Sequence, residues 1–229
     1  MQTETENRRR PGRPARLSRD QVLRAALSLA DADGLEAVTM QRVARAVGAE
    51  PMSLYRHVRN KDDLLDGLID LVYEEIRAPV NDEPWLDAMR RRAVSARDVL
   101  RRHPWAVGLM ESRRRPGPAN LAHHDAVVAN LSSAGFTAAQ ATRAYNVVDS
   151  YVYGFAIQEV TLPVASAEEL AEMGPEIMEQ YADGRYPHLE AVAAELIASG
   201  FEYGDEFQPG LDLILDALER AYAPSAGAS

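Results

Sequence analysis

Thr39-Met40-Gln41-Arg42-Val43-Ala44-Arg45-Ala46-Val47-Gly48-Ala49-Glu50-Pro51-Met52-Ser53-Leu54-Tyr55-Arg56-His57-Val58-Arg59-Asn60-Lys61 reads as two short helical patterns joined by a glycine turn. Thr39 suits an N-cap. Behind it Met40, Val43, Ala44 and Val47 recur at helical spacing, while Gln41, Arg42 and Arg45 fall outside that stripe. Gly48 suits the left-handed conformation that stops this helix. Pro51 suits the first position of the next, where its missing N–H needs no partner. In the second segment Leu54 and Val58 lie four residues apart and anchor it inward, leaving Met52, Ser53, Tyr55, Arg56 and His57 around its start and outer sides. The pattern is a tight helix-turn-helix whose second helix carries groups fit to read a DNA groove.

Upstream, Ser18 followed by Gln21 is a capping-box pattern that opens a helix carrying Val22, Ala26 and Leu29 and ending near Gly34. Residues 1–16 have no hydrophobic periodicity. Arg8, Arg9, Arg10, Arg13 and Arg16 are interrupted by Pro11, Gly12 and Pro14, which reads as a disordered basic arm. Such an arm follows the DNA backbone or enters the minor groove, or else is a solvated tail. Downstream, Asn60 caps a connecting helix over 61–78, with Asp62 and Asp63 in its first turn and Leu65, Leu68, Ile69, Val72 and Ile76 at helical spacing before Pro79. No alternating strand pattern follows. Pro and Gly instead separate helices over 84–102, 104–112, 118–134, 137–161, 166–182, 187–199 and 209–223, and residues 224–229 read as a disordered tail. The expectation is an all-α chain. A helix-turn-helix unit over 17–60 precedes a larger helical regulatory and dimerisation domain over 61–223.

The charge is divided along the same line. The 229 residues carry a net charge of −10, but residues 1–60 hold 11 Arg against 7 Asp plus Glu, or +4, which leaves −14 on residues 61–229. A basic module able to neutralise phosphate is joined to an acidic body that phosphate repels. The chain has no cysteine, so a disulfide framework and a thiolate metal site are excluded. With no early apolar run resembling a signal peptide or membrane span, the expected location is the cytoplasm.

Two helices suggest an interface. On the last, Phe207, Leu211, Ile214, Leu215, Leu218 and Tyr222 form a stripe. The 137–161 helix is apolar nearly all round, with Val147, Tyr151 and Ile157 lying apart from Ala141, Tyr145, Val148, Val152 and Phe155. A helix apolar on most sides must be covered on most sides. Val147, Leu211, Ile214, Leu215, Leu218 and Tyr222 are therefore expected in a homodimeric four-helix interface, the alternative being that both stripes serve the chain's own core. Met89, Trp105, Met110, Tyr145, Tyr151, Phe155 and Met178 are candidate pocket liners, since Met and aromatic side chains make adaptable apolar cavities. Plain core packing is the alternative for each.

The Thr39–Lys61 segment, with Leu54-Tyr55-Arg56-His57-Val58-Arg59-Asn60-Lys61 followed by Leu64 and Leu65, closely resembles the DNA-binding domain of TetR-family transcriptional regulators over roughly residues 18–76. Tyr153-Gly154-Phe155-Ala156-Ile157-Gln158-Glu159 and the Phe207–Leu218 segment are similar to the regulatory domain of the tetracycline-repressor branch. The resemblance implies an all-helical homodimer that binds a palindromic double-stranded operator and releases it when a small molecule enters the C-terminal domain. It places Gln41 at the second-helix base contact and Pro51, Met52 and Ser53 against base edges. Thr39, Tyr55, His57 and Lys61 fall at phosphates or groove edges. The chemistry agrees, because Gln pairs bidentately with adenine, Met and Pro meet a thymine methyl, and Tyr, Thr and Lys suit phosphate oxygens. Tyr55 packed under its helix with its hydroxyl exposed and His57 as a surface histidine are the bland alternatives. The chain departs from the tetracycline branch where that branch uses histidines to hold drug and magnesium. Its connecting helix ends Leu71-Val72-Tyr73-Glu74-Glu75-Ile76-Arg77, and the later segment reads Trp105-Ala106-Val107-Gly108-Leu109. No cofactor is expected, and the effector is left unnamed.

Two other readings compete. An enzyme must draw on His103, His123, His124, Asp125 or His188, but adjacent His123 and His124 point about 100° apart on a helix and do not make an i, i+4 metal pair. There is also no Gly-rich phosphate loop, nucleophile elbow or HExxH sequence. A helix-turn-helix protein that binds DNA without an effector is the nearer alternative.

Overall fold

The computed structural model describes residues 17–80, 83–110, 112–113 and 115–222. Among the described residues the elements are helical and none is a strand. The helices are α1 (Arg19–Asp33), α2 (Met40–Ala46), α3 (Pro51–Leu54), α4 (Lys61–Glu75), α5 (Trp85–Arg102), α6 (Val107–Met110), α7 (Pro118–Ser133), α8 (Ala138–Thr161), α9 (Ala167–Tyr181), α10 (Pro187–Ser199) and α11 (Phe207–Tyr222).

Caps set most boundaries. The Ser18–Gln21 capping box opens α1, Thr39 Oγ1 accepts from the Arg42 N–H, and Asn60 Oδ1 accepts from the Asp63 N–H at 2.8 Å. Thr137 and Ser166 cap α8 and α9 in the same way. Gly48, at φ +64°, supplies the left-handed residue of the helix-turn-helix turn.

The buried side chains form two clusters. The smaller gathers Val22, Leu23 and Ala26 of α1, Val43 of α2, Leu54, Val58, and Leu64, Leu68 and Leu71 of α4. The larger joins Ile69, Val72 and Tyr73 of α4, and Ile76 just after it, to α5, α7, α8 and α11. Helix α4 thus belongs to both, its successive turns dividing between the two cores. Helices α9 and α10 pack chiefly on each other, with Gly174 against Ile197. Tyr186, Leu189 and Val192 of the same hairpin are exposed.

Three boundaries differ from the sequence expectation. Helix α4 ends at Glu75 rather than near residue 78, because the Arg77 N–H turns to Ser95 Oγ at 3.0 Å and Ala78 O accepts from Arg91. The expected 104–112 helix is a 3-10 turn over Pro104–Ala106 followed by α6. The last helix starts at Phe207. Pro209 fits inside its first turn, where an N–H has no intrahelical partner to lose.

Candidate DNA interface and regulatory core

The four residues of α3 give way to tight bonds, with the Arg56 N–H on Ser53 O and the His57 N–H on Leu54 O. Arg19 of α1 takes the His57 carbonyl at 2.7 Å and pairs with Asp63 of α4, which also accepts from the Arg59 N–H at 2.8 Å. One carboxylate therefore holds α1, the end of the recognition segment and the start of α4 together. Burial alone raises the Asp63 pKa, but the bonds from Arg59 and Arg19 outweigh it and hold the carboxyl below the usual range. The sign follows. A carboxyl with a depressed folded pKa adds stability above its unfolded value, and that contribution is lost as the pH falls toward the folded one. We expect Asp63→Ala to cost about 1–3 kcal/mol near neutrality. The gap between variant and parent, read by urea unfolding, should narrow as the solution is taken below pH 4.

Every predicted DNA-contact residue within the described chain lies outside the core. Thr39, Gln41, Met52, Tyr55 and Lys61 are exposed, and Pro51, Ser53 and His57 are half-buried. Met52 is 76% exposed, an apolar side chain held in solvent by the helix that carries it. Tyr55 is 47% exposed. Thr39 is spent on its cap and Ser53 Oγ donates to Glu50 O at 2.6 Å. Leu54 and Val58 point inward as the spacing requires. Arg8, Arg9, Arg10 and Arg13 lie outside the described residues.

Six of the seven pocket candidates lie in or against the larger core. Met89, Met110 and Phe155 are core residues. Tyr151 stacks on Phe207 at 5.4 Å and donates to its carbonyl at 2.9 Å, beside a Gly210 whose added Cβ would collide with the Tyr151 hydroxyl. Trp105 packs against the larger core and donates its Nε1–H to Asp31 of α1 at 2.8 Å. The buried His103 meets the same carboxylate at 2.7 Å and Glu75 at 3.3 Å. Met178 sits half-buried on α9.

Tyr145 alone of that set joins a polar cluster in the larger core. Arg92 of α5, 2% exposed, donates through Nη1 to Asp149 of α8 at 2.6 Å and through Nε to His123 Nε2 of α7 at 2.8 Å. Its guanidinium carbon lies 5.2 Å from the Tyr145 ring centre. Burial opposes charge on Arg92, but Asp149 outweighs it and keeps the guanidinium ionised. Burial, with Asp149 adding to it, pushes the Tyr145 and Tyr153 hydroxyls up, so both stay protonated. Arg92 and Asp149 were missed in the sequence, although Arg92 falls on the α5 stripe of Met89, Ala93 and Ala96, and Asp149 lies one turn from Tyr145 and Val152. A charged residue at an apolar stripe position was the available signal.

The interface candidates divide. Leu211 and Leu215 are wholly covered by their own chain and Leu218 is nearly so, which corrects the expectation that this stripe is open to a partner. It faces α8 and α5 within the chain. Val147 is exposed, Ile214 and Tyr222 are half-buried, Arg143 donates to the Tyr222 hydroxyl at 3.0 Å, and Leu213 beside them is 72% exposed. A groove on the outer face of α8 runs past Ala138, Thr142, Asn146, Val147 and Ser150. Among the described residues no group of three or more His, Asp or Glu is placed to hold a metal ion, and no helix is long and apolar enough to cross a membrane.

Comparison with known proteins agrees with this geometry. The family model for bacterial regulatory proteins of the tetR family matches residues 22–68, and that for the tetracyclin repressor-like C-terminal domain matches residues 78–222. The chain is 34% identical over 232 residues to the HTH-type transcriptional repressor DrrR1 of Streptomyces coeruleorubidus, covering 96% of this chain and 85% of that protein. It is 27% identical over 208 residues to the class C tetracycline repressor protein of Escherichia coli, covering 90% and 92%. In fold it is similar to ActR of Streptomyces coelicolor, solved in complex with actinorhodin, with a TM-score of 0.75 at 22% identity over 92% of this chain and 100% of that one. With a helix-turn-helix head, a helical body and family matches that span both, the chain belongs to the TetR family of bacterial regulatory proteins.

Proposed function

We propose that this protein is a cytoplasmic, homodimeric transcriptional repressor that binds a palindromic operator and is released from it by a small molecule taken up in the body behind α4. The observation that carries the reading is the exposed set of Gln41, Met52, Tyr55 and Lys61 around a recognition segment clamped by Arg19 and Asp63. Gln41 and Met52 face base edges, while Tyr55 and Lys61 take phosphates. The relative named a repressor supports repression as the sign of control. Two copies meet through the outer faces of α8 and α11, with Val147, Leu213, Ile214 and Tyr222 at the contact. Dimerisation places the recognition segments about 34–36 Å apart, one turn of duplex.

Helix α4 carries the signal because both parts hold it by charge. At its start Asp63 is tied to Arg19 and Arg59. Farther along, Asp66 accepts from Arg113 at 2.6 Å, Asp70 from the Asn120 N–H at 3.0 Å, and Glu75 from Arg102 at 2.6 Å. A ligand that moves α7 or the Arg113 segment therefore pulls on α4 and with it on the head. Release is a population shift, so the effector binds more tightly to the spacing that does not fit DNA.

Tyr55→Phe is expected to weaken operator binding by about 0.5–1.5 kcal/mol, the worth of one hydrogen bond. Lys61→Ala should make the logarithmic salt slope shallower by about 0.9 for each phosphate that the lysine neutralises in the parent. A fluorescence-anisotropy titration at several salt concentrations reads both, and unchanged affinity in both variants defeats the assignment of these residues to phosphates. Deleting residues 1–16 should lower affinity for operator and scrambled duplex alike. A change in preference without loss of affinity contradicts an arm that follows the backbone.

A further inference from the structure

Among the described residues two buried side-chain polar atoms lack a partner, Asn130 Oδ1 and His123 Nδ1. The second has a definite chemistry. Arginine only donates hydrogen bonds, so the 2.8 Å contact from Arg92 Nε makes His123 Nε2 the acceptor. Burial, with the neighbouring Arg92 charge adding to it, pushes the His123 pKa down to about 3, and the ring is neutral at physiological pH. A neutral imidazole whose Nε2 accepts carries its proton on Nδ1. His123, 3% exposed, therefore presents a buried N–H with no acceptor, an arrangement that favours any ligand that supplies one.

The surroundings define the ligand further. Arg92 and Asp149 already neutralise each other, so a carboxylate or phosphate would bring an uncompensated charge into the core, whereas a carbonyl oxygen brings none. The Tyr73 ring lies 5.5 Å from the His123 ring and 5.4 Å from that of His124, which lies 5.1 Å from Tyr145, so aromatic rings flank the histidine pair. His124 and Tyr145, both half-buried and hydrogen-bonded to each other, lie nearer the surface than His123.

We propose that the His123 Nδ1–H, backed by the Arg92–Asp149 pair, is the effector-reading donor of the regulatory core, and that it takes an uncharged, flat aromatic ligand through a carbonyl oxygen. The proposal rests on the reading that the regulatory part binds a small-molecule effector.

The test uses the full chain with three probes of one shape, 9-fluorenone, fluorene and fluorene-2-carboxylate, and measures direct binding alongside release of bound operator. Nitrogen-15 NMR of histidine-labelled protein should show the His123 proton on Nδ1 and its resonance moving when 9-fluorenone is added. That probe should bind about tenfold tighter than fluorene, and His123→Phe should abolish the difference. A proton on Nε2 in the native protein overturns the proposal whatever the variant does. So does equal binding or non-binding of 9-fluorenone and fluorene, or a preference that survives His123→Phe. If fluorene-2-carboxylate releases the operator equally from the parent and from His123→Phe, the effector reading stands and the carbonyl reading falls. If no probe binds, and a broad compound screen also fails to release the operator, both fall.

Discussion

Asp149→Ala is expected to destabilise the folded chain by about 3–5 kcal/mol, because it leaves the Arg92 guanidinium charged and unpaired in the core. Removing the acceptor does not return Arg92 to water, since the side chain is 2% exposed and enclosed by α5, α7 and α8. The pair itself is not the source of that stability. Replacing both partners with apolar groups, as in Arg92→Met with Asp149→Leu, should recover most of the loss, as buried ion pairs exchanged for hydrophobic packing often do. Urea unfolding of the single and double variants separates the two effects. If Asp149→Ala is as stable as the parent, the buried pair is not as tight as described. If the double variant is no better than the single, the cost lies in packing rather than in the stranded charge.

Leu54→Ala is the second large expectation, at about 2–5 kcal/mol for a leucine truncated in a packed core. Leu54 is fully buried and ends a helix of four residues. Its carbonyl accepts the His57 and Val58 N–H groups, so its position also sets the turn that carries Tyr55. The loss should fall on the head, whose small core has few other residues to compensate. Operator binding should therefore drop further than for any single surface variant, while the large cluster around α5 and α8 keeps its protection in hydrogen exchange. Uniform loss of protection across both clusters instead means that they unfold as one unit.

Much of the fold was legible because capping and turn residues act locally. Ser18 with Gln21, Thr39, Gly48, Pro51 and Asn60 each act within four residues of themselves, and each sits where the sequence places it. The errors arose where a distant group intervened. Ser95 and Arg91 draw the chain away after Glu75, and no local pattern announces them. The outer residues of the recognition segment, Met52, Tyr55 and Arg56 among them, were readable from helical spacing because Leu54 and Val58 fix which side faces inward, whereas Thr39, Gln41 and Lys61 were singled out by the family resemblance. The regulatory core was not readable from spacing. Spacing identified the apolar stripe of α11 but not which helices would cover it, so Leu211 and Leu215 proved to be core. Arg92, Asp149 and His123 come from three helices separated by tens of residues, and only packing brings them together.

The central claim is that the exposed face around Met52 and Tyr55 reads a two-fold symmetric DNA site. Selection of bound duplexes from a randomised pool tests it most directly, followed by a salt titration on the enriched sequence. The account predicts an inverted repeat with half-site centres about one helical turn apart and affinity that falls steeply with salt. A pool that emerges without enrichment, bound weakly whatever its sequence, would contradict it.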